Sequence, residues 1–164
     1  MIFVTVGTHE QQFNRLVQKM DELKESGVIH EDVLIQTGYS TYEPTNCDWQ
    51  QWIPYPQMLE NVDKARIVIT HGGPSSFIMS LQSGKTPIVV PRQVKFEEHV
   101  NDHQVQFCNA VAKRYGSIFV VEDIEMLGEA IIGYDELVGA MSGKQESNNA
   151  KFNAELEKIV EGMM

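Results

Sequence analysis

The sequence predicts an open, doubly wound α/β sheet whose strands are mostly parallel. Two observations point to it: strand and helix segments alternate along the 164 residues, and the best strand segments are apolar throughout. Parallel strands covered by helices on both faces have this continuous apolar character, whereas half-exposed strands alternate. A chain of this length with 42% apolar residues is the size of one domain. We expect that domain over residues 1–143 and an amphipathic C-terminal helix over residues 144–164.

The first half of the chain predicts three strands and two helices. Runs of β-branched and aromatic residues place strands at 2–6, 33–37 and 49–53. Helices are expected at 10–26 and 56–62. The first helix is indicated by apolar residues spaced three and four apart, namely Phe13, Leu16, Val17, Met20 and Leu23.

The second half continues the alternation. Strands are expected at 65–70, 87–91 and 118–121. Pro74 suits the first turn of a helix, where its missing N–H is not needed. Helical segments are expected at 74–84, 98–115, 123–140 and 146–162.

The charge balance argues against nucleic acid and anionic lipid as direct partners. The chain has 13 basic and 23 acidic residues, a formal net charge of −10. Residues 122–164 hold 3 of the basic and 10 of the acidic groups, so most of the excess negative charge lies there.

The start of the chain lacks the basic and long apolar regions of a signal peptide, so we expect a cytoplasmic protein. Cys47 and Cys108 are far apart and form no metal-binding pair, so both are expected to be ordinary reduced residues.

Three turns at the predicted carboxyl ends of strands carry the groups that can bind a ligand. They are Gly7-Thr8-His9, the segment at 70–76 and the segment at 91–99. In the second turn, paired glycines precede a helix start rich in hydroxyls, which favours an anion such as phosphate or diphosphate. A tight turn without a ligand is the alternative interpretation of these glycines. Neither G-x-G-x-x-G nor G-x-x-x-x-G-K-[ST] is present, so dinucleotide and P-loop sites lack their defining residues.

His99 and His103 are four residues apart in the helix expected at 98–115 and would share one face. Together with Asp102 they could chelate a metal, but the H-E-x-x-H pattern is absent and no further ligand is close in sequence. Hydrogen bonding to a polar ligand or to the ends of the sheet is the preferred interpretation.

Four segments taken together resemble glycosyltransferase family 28. They are FVTVGTHEQQFNRL at 3–16, HGGPSSF at 71–77, GKTPIVVPR at 84–92 and EHVNDHQ at 98–104. More closely, residues 1–121 resemble the small catalytic subunits of split polyprenyl-linked glycosyltransferases. These include the small subunit of the dolichol-linked N-acetylglucosaminyltransferase and bacterial relatives in capsule and exopolysaccharide synthesis.

The resemblance implies a Rossmann-like fold equivalent to the donor half of a GT-B enzyme, binding a UDP-sugar across the strand ends. Carried over by position, the diphosphate contacts are Gly7, Thr8, Gly72, Gly73, Ser75 and Ser76. Asp102, His103 and Gln104 would face the sugar or the diphosphate. The other expected substrate contacts are His71, Arg92, Glu98 and His99. No metal and no cofactor are expected, because helix ends and backbone amides neutralise the leaving diphosphate.

Met79 stands where many family members have a ribose-binding glutamate. Ribose recognition is therefore left to other residues, with Gln82, Glu97 and Glu98 as candidates.

An inverting transfer also needs a base for the acceptor hydroxyl. His9 is the candidate within this chain. The alternatives are a base in the acceptor half of the enzyme and a histidine that only contacts phosphate or caps a helix.

The C-terminal segment presents an apolar helical face formed by Phe152, Leu156, Ile159, Val160 and Met163. This face either packs on the chain's own sheet or docks a second subunit. The expected partner is membrane-attached and brings a lipid-linked saccharide acceptor, recruiting this chain to the inner face of the membrane. The function expected is catalytic transfer of a hexose or N-acetylhexosamine from a UDP-sugar, and the alternative is a non-catalytic nucleotide-binding regulatory or scaffold subunit.

Overall fold

A computed structural model of the chain describes residues 1–140. In this part of the chain, six strands form one sheet in the order β3-β2-β1-β4-β5-β6, and every pair is parallel. The strands are β1 (Ile2–Thr5), β2 (Val33–Gln36), β3 (Asp48–Gln50), β4 (Ile67–His71), β5 (Ile88–Val90) and β6 (Phe119–Val120). The predicted doubly wound parallel sheet is confirmed.

Helices connect the strands on both faces of the sheet. They are α1 (Asn14–Glu25), α2 (Tyr55–Lys64), α3 (Pro74–Gln82), α4 (His103–Tyr115) and α5 (Leu127–Ile132). Single 3-10 turns lie at Val94–Phe96 and Ile124–Met126. Residues 134–140 are also helical. No helix of residues 1–140 combines the length and apolar character needed to cross a membrane.

Strand β1 shows why both faces need a cover. Ile2 and Val4 pack on one face with residues of α1 and α5, including Leu16 and Leu127. Phe3 points to the opposite face and packs with residues of α2 and α3. Since all these side chains are buried, the continuous apolar run of the strand is explained by burial on both sides.

Helix α1 begins four residues later than the sequence predicts. The carbonyls of Gln11 and Gln12 accept hydrogen bonds from the Arg92 guanidinium at 2.8 and 3.3 Å. The side chain of Gln12 also accepts from the backbone N–H of Asn14 at 2.8 Å. These tertiary contacts hold residues 7–13 as a loop.

The helix predicted at 98–115 begins only at His103, so this prediction is wrong at its start. Glu97 adopts a left-handed conformation with φ 59°, and the Asp102 carboxylate accepts from the backbone N–H of Val94 at 2.9 Å. His99 therefore lies in the preceding loop and does not share a helix face with His103.

Two further predictions concern the cysteines and the C-terminal segment. Cys47 and Cys108 are free thiols, as predicted, and burial raises the pKa of Cys108 to about 12. The boundary at 143, the helix at 146–162 and its apolar face lie outside the described residues.

Candidate functional site

A cleft of about 550 Å³ opens at the carboxyl ends of the central strands. The loop after β1, the turn after β4 and the segment after β3 form its walls. Six residues predicted from the sequence line it, namely Gly7, Thr8, His9, His71, Ser75 and Ser76. The first two predicted turns therefore meet in one cavity, as the parallel sheet requires.

His71 lies at the centre of the cleft wall, between the backbones of two glycines. A Cβ added to Gly7 would lie 2.1 Å from His71 Nε2, and one added to Gly73 would lie 2.3 Å from its Cε1. Gly7 also has φ +76°, which disfavours any side chain. Both positions need glycine to make room for the imidazole. This reason differs from the diphosphate contacts expected at Gly7 and Gly73 from the sequence.

The hydrogen bonds of His71 determine which ring nitrogen carries the proton. The backbone N–H of Gly73 donates to Nδ1 at 3.3 Å, so Nδ1 is an acceptor. Burial lowers the pKa of His71 to about 3, and the ring is neutral at pH 7. Its proton therefore sits on Nε2 and is donated to the Ser76 hydroxyl at 3.0 Å. Because Ser76 Oγ accepts this bond, its own O–H is free to donate to a ligand in the cleft.

The paired glycines contribute less to an anion site than the sequence predicts. The N–H of Gly72 donates to Gln104 Oε1 at 3.1 Å, and the N–H of Gly73 is bound to His71. Among the described residues, the donors left at this turn are the Ser75 and Ser76 hydroxyls and the backbone N–H of Ser75, because Pro74 has no N–H and the N–H of Ser76 donates to the Gly73 carbonyl at 3.1 Å. The start of α3 also carries the positive end of the helix dipole.

His9 lines the same cleft from the loop after β1. Its ring stacks on His99 with centroids 4.3 Å apart and an interplanar angle of 8°. Its Nε2 lies 2.9 Å from Gln11 Oε1. The imidazole is thus held by two side chains while it lines the cavity.

Arg92 and Glu98 lie in the interior, away from this cleft. Both are fully buried. Arg92 donates to the carbonyls of Val6, Gln11, Gln12 and Glu98. Glu98 pairs with Arg15 at 2.9 Å and accepts from the backbone N–H of Gln93. We infer that both residues hold the loop after β1 in place and do not contact substrate as expected from the sequence.

Four of the six remaining predicted residues lie at a second cavity of about 610 Å³, and Gly73 and Asp102 line neither cavity. Gly72, His99, His103 and Gln104 line it, together with Pro74, Asn101, Gln106 and Phe107. Gln104 is tied to the protein, because its Oε1 accepts from the N–H groups of Gly72 and Arg92. Asp102 is exposed and bound to Val94 N–H, and it lines neither cavity. Within residues 1–140, no cluster of three or more side chains of the metal-binding types is found.

Comparison with known proteins now identifies the chain. The glycosyltransferase family 28 C-terminal domain matches residues 1–132. The chain belongs to this family. Comparison with curated proteins gives no significant match.

Solved structures of glycosyltransferases share the fold of this family 28 domain. The glycotransferase of kitacinnamycin aligns with a TM-score of 0.59 at 17% identity, over 98% of this chain and 42% of its own. SnogD from Streptomyces nogalater aligns with a TM-score of 0.56 at 17% identity, over 97% of this chain and 42% of its own. The spinosyn forosaminyltransferase SpnP aligns with a TM-score of 0.59 at 16% identity, over 96% of this chain and 39% of its own. The predicted Rossmann-like donor half of a GT-B enzyme is confirmed, and the chain spans about two fifths of these proteins.

The family 28 domain also places residues at the cleft that the sequence analysis did not select. They are Thr5, Gln36, Trp52, Ile53, Tyr55 and Met58, and Met79, noted above in place of a ribose-binding glutamate, lines the cleft as well. Trp52 is 45% exposed and forms an edge contact with Tyr39 at 5.1 Å. The sequence signal was an unusual density of aromatic residues around a short strand, but only the sheet order brings that strand to the cleft. The proposed ribose contacts Gln82, Glu97 and Glu98 do not line it.

Proposed function

We propose that this chain is the donor-binding catalytic subunit of a two-component, inverting, metal-independent glycosyltransferase. It moves a hexose or N-acetylhexosamine from a UDP-sugar to a polyprenyl-diphosphate-linked saccharide in the synthesis of a capsule or exopolysaccharide. The observation that carries the proposal is the single cleft that the Ser76 hydroxyl, the start of α3 and His9 line together.

The diphosphate of the donor binds at the start of α3. The dipole of the helix attracts negative charge there, and the Ser75 and Ser76 hydroxyls donate hydrogen bonds. Thr8, which is exposed on the facing loop, adds a third hydroxyl. These neutral donors stabilise the charge that develops on the leaving diphosphate without a metal ion.

The nucleobase binds at the aromatic end of the same cleft. Trp52 and Tyr55 are exposed, and Ile53 and Met58 are partly buried beside them. A flat apolar wall with aromatic rings suits stacking of a base, which typically contributes about 1–3 kcal/mol. The cleft thus has a polar part for the diphosphate and an apolar part for the base.

The reaction forms one bond to the anomeric carbon and breaks another. His9 accepts the proton of the acceptor hydroxyl while that oxygen attacks the anomeric carbon from the face opposite the diphosphate. The bond between the anomeric carbon and the diphosphate oxygen breaks, and UDP leaves with that electron pair. We assign a chemical step to His9 alone. Ser75, Ser76 and Thr8 bind the diphosphate.

The acceptor and the membrane are supplied by a partner. In this proposal a second subunit binds the acceptor, and this chain supplies the donor-binding half of the fold. The net charge of −10 opposes direct binding to anionic lipid, so this cytoplasmic subunit reaches the inner face of the membrane through a membrane-attached protein.

Transfer of label tests the proposal. The purified chain is mixed with radiolabelled UDP-sugars, a lipid-linked acceptor and membranes that carry the partner. We expect label in the lipid fraction with the wild-type chain and a loss of about 100-fold or more with His9→Ala. UDP binding measured by calorimetry should be retained in His9→Ala. Binding without transfer by the wild-type chain would favour the non-catalytic regulatory subunit instead.

A further inference from the structure

Among residues 1–140, two side chains hold the ring of His9, and neither of them binds its Nδ1. Gln11 Oε1 lies 2.9 Å from Nε2, and the His99 ring covers one face. Which nitrogen is the base depends on which atom of the Gln11 amide faces the ring.

The backbone of Glu97 fixes the orientation of the Gln11 amide. The carbonyl of Glu97 lies 3.4 Å from Gln11 Nε2. A carbonyl oxygen only accepts hydrogen bonds, so the amide nitrogen must be on that side. The amide oxygen then faces His9 and can only accept, and His9 Nε2 must carry the proton. The lone pair of a neutral His9 is left on Nδ1.

Glu97 is itself held in place. Its left-handed backbone, with φ 59°, ends the 3-10 turn at Val94–Phe96. The Gln12 side chain donates to the carbonyls of Phe96 and Glu97 at 3.0 and 3.2 Å. The carbonyl that orients Gln11 is therefore part of a rigid connection between two loops at the cleft.

We propose that Gln11 is a positioning residue that keeps neutral His9 in the Nε2–H form, so that Nδ1 is the base of the transfer reaction. The inference rests on the proposed function for the role of His9, but the tautomer is a property of the chain itself.

His99 completes the arrangement by fixing the plane of the His9 ring. Burial lowers the pKa of His99, so its ring packs on His9 as a neutral group and does not oppose the positive charge that His9 gains. Among the described residues, His99 Nδ1 has no hydrogen-bond partner. The other titratable or charged groups that act on this pair are Arg92, Asp102 and His103, which influence the pKa of His99, and His71, whose own pKa is lowered by burial and by both rings.

The tautomer is measured directly by nitrogen NMR of the histidine side chains. The chain has 5 histidines, and the spectrum of His9→Gln assigns the His9 signals by difference. We expect the Nε2–H form for His9 in the wild-type chain and a mixture of both forms in Gln11→Met. An Nδ1–H signal for wild-type His9, or an unchanged spectrum in Gln11→Met, would overturn the inference.

Kinetics separates this role from a structural one. Gln11→Met should lower kcat about tenfold with little change in KM for the UDP-sugar, since the donor contacts are intact. In Gln11→Glu, a carboxylate beside Nε2–H favours the protonated ring, so the acidic limb of the pH profile should move to higher pH. Gln18→Met is the control, because Gln18 is exposed on α1 and its side chain binds Glu22, so its pH profile should match the wild-type profile.

The two ideas fail in different ways. If the tautomer behaves as expected but the wild-type chain transfers no sugar, the proposed function fails while Gln11 still sets the state of His9. If transfer occurs and the Gln11→Glu profile is unshifted, the positioning role is wrong and the proposed function stands.

Discussion

The imidazole of His71 occupies the space that a side chain at Gly7 would need, with Nε2 2.1 Å from the position of an added Cβ. Strand β4 carries the histidine, and the loop after β1 carries the glycine. One contact therefore joins the two turns that form the cleft and determines how closely they approach. The same imidazole donates to the Ser76 hydroxyl, so the contact that joins the two turns also orients a hydroxyl at the cleft.

Replacing Gly7 by alanine should destabilise the fold by about 3 kcal/mol or more, the sum of backbone strain and overpacking. Gly84→Ala is the matched control, since Gly84 has the same φ of +76° but open space around it. We expect a loss of only about 1–2 kcal/mol there. Urea unfolding measures both, and equal losses would contradict the packing role of His71.

The stability of the protein should fall with pH below the ordinary pKa of histidine because of His71. The unfolded chain takes up this proton near pH 6.5, whereas the folded protein does so only near 3. Between these values the unfolded state binds more protons than the folded state. Each unit by which the pH falls therefore lowers the free energy of unfolding by about 1.4 kcal/mol.

Thermal unfolding at pH 7, 6 and 5 should show a weaker acid dependence in His71→Gln than in the wild-type chain. His30→Gln, at an exposed position, should retain the wild-type dependence. A wild-type slope in His71→Gln would show that other groups cause the loss.

Ser76→Ala should weaken UDP binding about tenfold or more, because the charged diphosphate loses a hydrogen bond worth about 1.5–3 kcal/mol. Ser83→Ala, at the other end of α3, should bind UDP as the wild-type chain does. Calorimetry compares the three proteins. Unchanged affinity in Ser76→Ala would move the diphosphate away from this hydroxyl.

Trp52→Ala should weaken UDP binding about tenfold through lost stacking on the base, with little effect on folding because the side chain is 45% exposed. Trp49→Ala is the control, since Trp49 is similarly exposed at 39% but does not line the cleft. If both variants lose affinity equally, the effect comes from the segment as a whole and not from the base site.

The strands and the positions of the site turns were predictable from local sequence. Uninterrupted apolar runs such as 67–69 can be buried only as strands covered on both sides, and glycines and Pro74 mark the turns that follow. The boundaries of α1 and α4 were not predictable. They depend on hydrogen bonds from Arg92 and to Asp102, whose partners are distant in sequence or lie outside the helix.

By itself, the sequence determined a parallel α/β domain and the polar turns that follow its strands. Only the tertiary structure decided which polar residues face the cleft. Arg92 and Glu98 look like ligand contacts in sequence, yet burial leaves their charges to be satisfied by carbonyls and Arg15. Trp52 looks like part of a strand, yet the sheet order brings it to the cleft. The physical reason is that local pattern sets strand and helix formation, whereas the partner of a polar or aromatic side chain depends on which segments the sheet makes neighbours.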